Sequence, residues 1–137
     1  MRRILVVDDE TLVVDMLIKG LTSDRVQVAG ANNGQDALAY IQSHPVDVVV
    51  TDVMMPGMLG TELFFKIKEI EPFMQIIVIT GVPTGENLAQ MLKGGANDFI
   101  IKPFTIDKLQ SVVAEAFGRL DRWRESTKQW IEKGNVH

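Results

Sequence analysis

The sequence contains no cysteine. Disulfides, thiolate metal sites and a cysteine nucleophile are therefore excluded together. It also lacks any apolar run near the roughly 20 residues that a bilayer-spanning helix needs. Met1-Arg2-Arg3 leads into only the four apolar residues Ile4 to Val7 before Asp8 and Asp9, too short for the apolar core of a signal peptide. Positive charge is not in excess. Fourteen Lys and Arg stand against eighteen Asp and Glu, for a net charge of −4, the opposite of a nucleic-acid-binding footprint. No Gly-x-Gly-x-x-Gly follows a strand-like run, so a dinucleotide site is not expected. Low-complexity stretches and short repeats are also missing. These absences lead to the expectation of a cytoplasmic protein with neither membrane nor direct nucleic-acid contacts.

What is present is an ordinary globular composition. The 137 residues are 46% hydrophobic and 23% charged, enough apolar material for one domain with its own core. Apolar runs alternate with helical periodicities. Ile4 to Val7 reads as a strand buried on both faces, and Leu12, Val13, Met16, Leu17 and Leu21 then mark the inner face of a helix. Val26 to Ala29 is a short second strand, followed by Asn32-Asn33-Gly34, a turn that caps a helix facing inward through Ala37, Leu38 and Ile41. Val46 to Val50 stops at Thr51-Asp52. After the loop of Pro56-Gly57 and Gly60, Leu63, Phe64, Ile67 and Ile70 stripe a third helix. Ile76 to Ile79 ends at Thr80-Gly81. A short helix over Leu88, Ala89, Met91 and Leu92 stops at Gly94-Gly95, and Phe99 to Ile101 is a fifth strand. Thr105 then caps a last helix through Ile106, Leu109, Val112, Val113 and Ala116.

Five β-α units of this kind require parallel strands joined by crossover helices, with helices on both sheet faces. The expected architecture is a doubly wound α/β sheet. In such sheets ligands bind beyond the carboxyl ends of the strands. Here those ends carry Asp8 and Asp9, Asp52, Thr80 and Lys102. Each residue taken singly has a plainer reading. The two adjacent aspartates and Asp52 read equally well as helix caps or turn residues. Thr80 is a common strand-end residue, Lys102 a solvated surface charge and Phe99 a core aromatic. The combination, in register at the ends of four strands, is what carries information. Met54, Met55, Met58 and Met91 have no histidine or cysteine beside them to complete a soft-metal site, so packing accounts for them.

The runs ILVVDDE, VVVTDVMMPGMLG, IIVITG and GANDFIIKPF resemble the signature segments of response-regulator receiver domains, over roughly residues 3 to 118. The resemblance implies a flavodoxin-like five-stranded sheet in the order 2-1-3-4-5 with five helices. It implies that Asp52 is phosphorylated, and that Asp8 and Asp9 hold a divalent cation with Asp52 and the main-chain carbonyl of Met54. Thr80 corresponds to the switch hydroxyl, Lys102 to the phosphoryl-binding lysine, Phe99 to the switch aromatic, and Pro103 to a cis-proline. Met54 and Val82 occupy positions that tune the lifetime of the phosphoryl group. Both are apolar and cannot orient a hydrolytic water.

The chemistry agrees with that assignment. Clustered carboxylates repel one another and take up protons unless a cation compensates. Hard oxygen donors with open positions suit Mg²⁺, or Mn²⁺ in its place. Asp9 and Asp52 are expected to bind it directly and Asp8 through water. Asp52 is then a carboxylate nucleophile, with Lys102 and the cation neutralising the incoming phosphoryl charge. The expected function is a two-component phosphoacceptor switch. It is no enzyme beyond promoting its own phosphorylation and dephosphorylation. The resemblance implies a histidine kinase or histidine phosphotransfer protein upstream and an effector domain or protein downstream.

Two rivals are weaker. An aspartate-nucleophile phosphohydrolase places its nucleophile after the first strand, with a second acid two residues on. A non-phosphorylated pseudo-receiver typically lacks one of the acids or the lysine. Residues 1–118 are expected to form the receiver and 119–137 a C-terminal helical extension or linker. The last helix is expected to run from 105 to about 131 despite Gly118. Its Leu120, Trp123 and Trp130 continue a heptad-like seam beyond the reach of the sheet, a candidate homodimer contact.

Overall fold

A computed structural model describes residues 1–53, 60–81 and 84–133. Among the described residues there are five strands, β1 (Arg2–Val7), β2 (Val26–Ala31), β3 (Val48–Asp52), β4 (Gln75–Thr80) and β5 (Asp98–Ile101). Five helices alternate with them, α1 (Thr11–Leu21), α2 (Gly34–Ser43), α3 (Gly60–Ile70), α4 (Gly85–Gly94) and α5 (Ile106–Glu132). The strands form one sheet in the order β2-β1-β3-β4-β5, and every neighbouring pair is parallel. This is the doubly wound order expected from the sequence.

The period-2 alternation of the strands builds two cores, one on each face. Leu5 and Val7, Val49, and Ile76 and Val78 point to one side, where Ala37, Ile41, Leu63, Phe64, Ile67 and Met91 of α2, α3 and α4 cover them. Ile4 and Val6, Val48 and Val50, and Ile77 and Ile79 point to the other, against Val14, Leu17 and Leu21 of α1 and Leu109, Val112, Val113 and Ala116 of α5. Central strands buried on both faces read as unbroken apolar runs for this reason.

Helix boundaries follow from capping. The side chains of Asn33, Thr84 and Thr105 accept hydrogen bonds from the main-chain N–H groups of Asp36, Asn87 and Lys108. Gly95 ends α4 in the left-handed region at φ 116°, where glycine avoids the steric cost of a Cβ. The inner face of α1 differs from the sequence reading. Leu12 is 82% exposed and Met16 47% exposed, whereas Val14 is buried. The helix is rotated from the expected stripe because Gly30 of β2 admits Val14 to direct backbone contact. A Cβ built on Gly30 would lie 2.4 Å from Val14 Cγ1.

The last helix is continuous from Ile106 to Glu132, about 40 Å at 1.5 Å per residue. It passes through Gly118, as expected. Its seam does not stand clear of the domain, however. Leu120 is buried and Trp123 rests on Phe73, with ring centroids 6.0 Å apart. Of that seam Trp130 remains about half exposed, next to the equally exposed Ile131.

Two glycines should respond oppositely to alanine. Gly30→Ala forces a methyl group onto Val14, a β-branched helical side chain with little rotamer freedom, and should destabilise the fold by about 1–3 kcal/mol. At Gly118 a new Cβ meets nothing within 4 Å, so Gly118→Ala should stabilise it by up to about 1 kcal/mol through helix propensity. Urea denaturation midpoints at unchanged m-value check both. Equal signs would contradict this account.

Candidate phosphoacceptor site

The parallel register brings the candidate residues together. Val7 of β1 is paired with Thr51 of β3, so the next residues, Asp8 and Asp52, end their strands side by side. Asp52 is in turn paired with Ile79 of β4, one residue before Thr80, and Thr80 is paired with Ile101 of β5, one before Lys102. Each step across the sheet thus delivers the next side chain to the same rim. The acids lie at its centre, where the helices that follow β1 and β3 pack on opposite faces of the sheet.

Lys102 Nζ donates to Asp52 Oδ2 at 2.9 Å. The Asp52 side chain is only 12% exposed while that of Lys102 is 40% exposed, so the lysine reaches over an enclosed carboxylate from the solvent side. Burial by itself would lower the Lys102 pKa. The hydrogen bond and charge of Asp52 outweigh it, with Asp8 and Glu10 adding attraction, and the ammonium is held above its ordinary range. The Lys102 N–H donates to Thr80 O at 2.8 Å, and the Lys102-Pro103 peptide bond is cis. Thr80 is buried at the end of its strand. A Cβ on Gly81 would have Lys102 Cδ as its nearest neighbour, at 3.8 Å, so glycine leaves open space beside the lysine.

Asp8 is 3% exposed and Asp9 is exposed. Neither caps α1, whose N-cap is Glu10 without a side-chain bond. Asp8 Oδ1 instead accepts the Glu10 N–H at 2.9 Å, which turns the chain at the rim. Burial raises the Asp8 pKa above the ordinary carboxylate range. The Glu10 N–H and Lys102 oppose that rise, and the charges of Asp52 and Asp9 reinforce it. Asn32 was read from the sequence only as part of a turn. Its side-chain amide donates to Asp8 O at 3.3 Å, a cross-strand contact with no local sequence signal. Phe99 is half-buried on β5 and packs against the core beneath α3 and α4. Met54 and Val82 lie outside the described residues.

The donor set fits a hard divalent cation. A buried carboxylate whose charge is disfavoured by burial and by two neighbouring carboxylates gains most from a positive ion. Among the described residues no group of three carboxylate or imidazole side chains is arranged to hold an ion by itself. Mg²⁺ keeps several waters and binds through few carboxylates plus phosphate, and Asp8 and Asp52 at the rim are hard oxygen donors of the kind it takes.

Fold and rim together define a class, a doubly wound α/β domain with an acidic site faced by a lysine. Comparison with known proteins names its family. The response regulator receiver domain family matches residues 4–114, and the chain belongs to that family. It is 34% identical over 122 residues to the chemotaxis protein CheY of Thermotoga maritima, covering 88% of this chain and 98% of that protein. It is 36% identical over 113 residues to the transcriptional regulatory protein ZraR of Klebsiella oxytoca, covering 82% of this chain. The chain spans only 26% of the length of ZraR. A solved CheY-like response regulator receiver domain from Methanospirillum hungatei superposes with a TM-score of 0.83 at 31% identity, covering 92% of this chain and 98% of that one. Receiver domains are signalling phosphoacceptors of two-component response regulators, and they generally bind Mg²⁺ at the phosphorylation site.

The buried acid gives a prediction with a definite sign. The native state holds the Asp8 proton more tightly than the unfolded chain does. Its contribution to stability is therefore greatest below the unfolded pKa and is lost as pH rises through the native one. At neutral pH without a divalent cation, Asp8→Asn should raise stability by about 1 kcal/mol, because the amide keeps the acceptor for Glu10 without the buried charge. The gain should vanish as pH falls below the carboxylate range. Mg²⁺ affinity should drop about 10-fold or more. Thermal unfolding against pH, with and without Mg²⁺, measures all three effects. A destabilised variant at neutral pH would refute the assignment of Asp8 as a buried charge under strain.

Proposed function

We propose that Asp52 is the phosphoryl acceptor of a two-component switch, charged by a histidine kinase or histidine phosphotransfer protein in the cytoplasm. The observation that carries the reading is the Lys102–Asp52 ion pair at 2.9 Å over a nearly enclosed carboxylate. In the transfer, an Asp52 carboxylate oxygen forms the new bond to phosphorus while the bond from phosphorus to the donor imidazole nitrogen breaks. Lys102 shifts its ammonium from the carboxylate to a phosphoryl oxygen, so the cation already positioned at the acceptor stabilises the charge that arrives. Asp8, Asp9, Asp52 and the Met54 carbonyl would hold Mg²⁺, which when bound neutralises phosphoryl oxygens and screens the acids from one another.

Thr80, one residue beyond the partner of Asp52 on the next strand, would donate its hydroxyl to a phosphoryl oxygen. Movement of Thr80 toward that oxygen frees space for the half-buried Phe99, two strand positions from Ile101. This couples one new anion to the surface formed by α4, β5 and α5. That surface is where an effector domain or protein would read the switch.

Incubation with acetyl phosphate and Mg²⁺ should add one phosphoryl group to the chain, labile to hydroxylamine as an acyl phosphate is. Asp52→Asn should abolish the addition, and Lys102→Ala should slow it by about 10²-fold or more, the scale of losing one preorganised electrostatic group. Intact-mass spectrometry follows both. Equal modification of the Asp52→Asn chain at another carboxylate would overturn the reading.

A further inference from the structure

The opposite end of the sheet shows an arrangement that the phosphoacceptor reading does not use. β1, β3 and β4 carry the acid pair, the acceptor and the hydroxyl at their carboxyl ends, and each is tied at its other end to the stretch of α5 from Arg119 to Arg124. Arg2, the first residue of β1, pairs with Asp121 at 2.9 Å. Asp47, one residue before β3, pairs through Oδ1 with Arg124 at 3.0 Å, while its Oδ2 accepts the Arg3 N–H at 2.9 Å. Gln75, the fully buried first residue of β4, accepts from Arg119 Nη1 at 2.8 Å. Its amide nitrogen donates onward to Phe73 O at 2.9 Å.

The three ties are spread around the helix so as to fix it in rotation as well as in position. At about 100° per residue, Leu120 lies in the middle of the contacting face with Trp123 and Phe117 on either side. Arg119 falls on one flank of that stripe beyond Trp123, Asp121 on the other beyond Phe117, and Arg124 within it between Leu120 and Phe117. Phe117 and Leu120 are buried, Trp123 stacks at a tilt on Phe73, and the Arg2 guanidinium sits 4.6 Å over the Phe117 ring. An apolar strip flanked by polar bonds on both sides resists both rolling and sliding. An exposed ion pair alone is worth little. The combination with a buried strip and a buried amide is what gives the contact its hold.

We propose that Phe117–Arg124 is a clasp that fixes the direction of the remainder of α5 relative to β1, β3 and β4. Residues 125–133 then move as one rigid body with the sheet that carries the site. The working boundary between domain and extension falls after Arg124, not at Gly118. A partner or further domain attached to the end of α5 is therefore held at a set orientation by the strands themselves.

The absence of native cysteine allows a direct test on the full chain. Nitroxides attached at Gln35→Cys on α2 and Lys128→Cys on the extension report one inter-label distance distribution by pulsed electron resonance. A single narrow distribution is expected. Arg119→Ala with Arg124→Ala should broaden it at least about two-fold as the extension is released by local opening, with helix content by circular dichroism otherwise retained. Arg2→Asp and Asp121→Arg each alter a half-exposed position and should each broaden it. Combined, they restore the pair with reversed polarity and should narrow it again. A broad distribution in the unsubstituted chain, or an unchanged width in all the variants, would overturn the proposal. Failure of the swap to restore the width would remove the Arg2–Asp121 tie from it.

Discussion

Everything at the site depends on the parallel register of four strands. A shift of one residue between β1 and β3 would turn every apolar side chain of the moved strand to the opposite face. It would also separate Asp8 from Asp52. The register is therefore held by both cores at once, since Ile4 and Val6 serve one face and Leu5 and Val7 the other. The functional arrangement inherits this rigidity. No loop has to find its place for Asp52, Thr80 and Lys102 to meet, because each is the residue at, or immediately after, the end of a strand whose pairing is already set.

Such a rim costs stability. Asp8 is buried with its charge disfavoured, and among the described residues the Glu10 N–H and Lys102 oppose that effect. An apolar or amide side chain in its place would suit the fold better. On the proposed reading, the acid serves a cation and an incoming phosphoryl group rather than the fold. This is the usual relation between a strained site and the scaffold that supports it. Lys102 answers part of the strain on its own account by lying across Asp52, and the fold supports the lysine by bonding its N–H to the end of β4.

The base of the sheet balances the rim. Three strands that end at the rim begin in contacts with α5, the longest helix among the described residues. In the opposite direction, α5 buries Leu109, Val112, Val113 and Ala116 against one face before its last turns leave the core. The helix is thus both a wall of the domain and the element that leaves it, continuous from Ile106 to Glu132.

The number, order and kind of the elements were legible in the sequence, because buried parallel strands and amphipathic helices leave different apolar periods. The residues of the rim were legible too, since they fall where those apolar runs end. The caps at Asn33 and Thr105 and the stop at Gly95 follow from local backbone chemistry, which depends on near neighbours in the chain. What escaped depends on distant ones. The face of α1 turned on a missing Cβ at Gly30, in another element. Asn32 reaches Asp8 across 24 positions, and Arg124 reaches Asp47 across 77. Read along the chain, Arg119, Asp121 and Arg124 are ordinary exposed charges of a helix tail. Only tertiary packing, by bringing the amino ends of three strands beneath that tail, decides that they hold it in place.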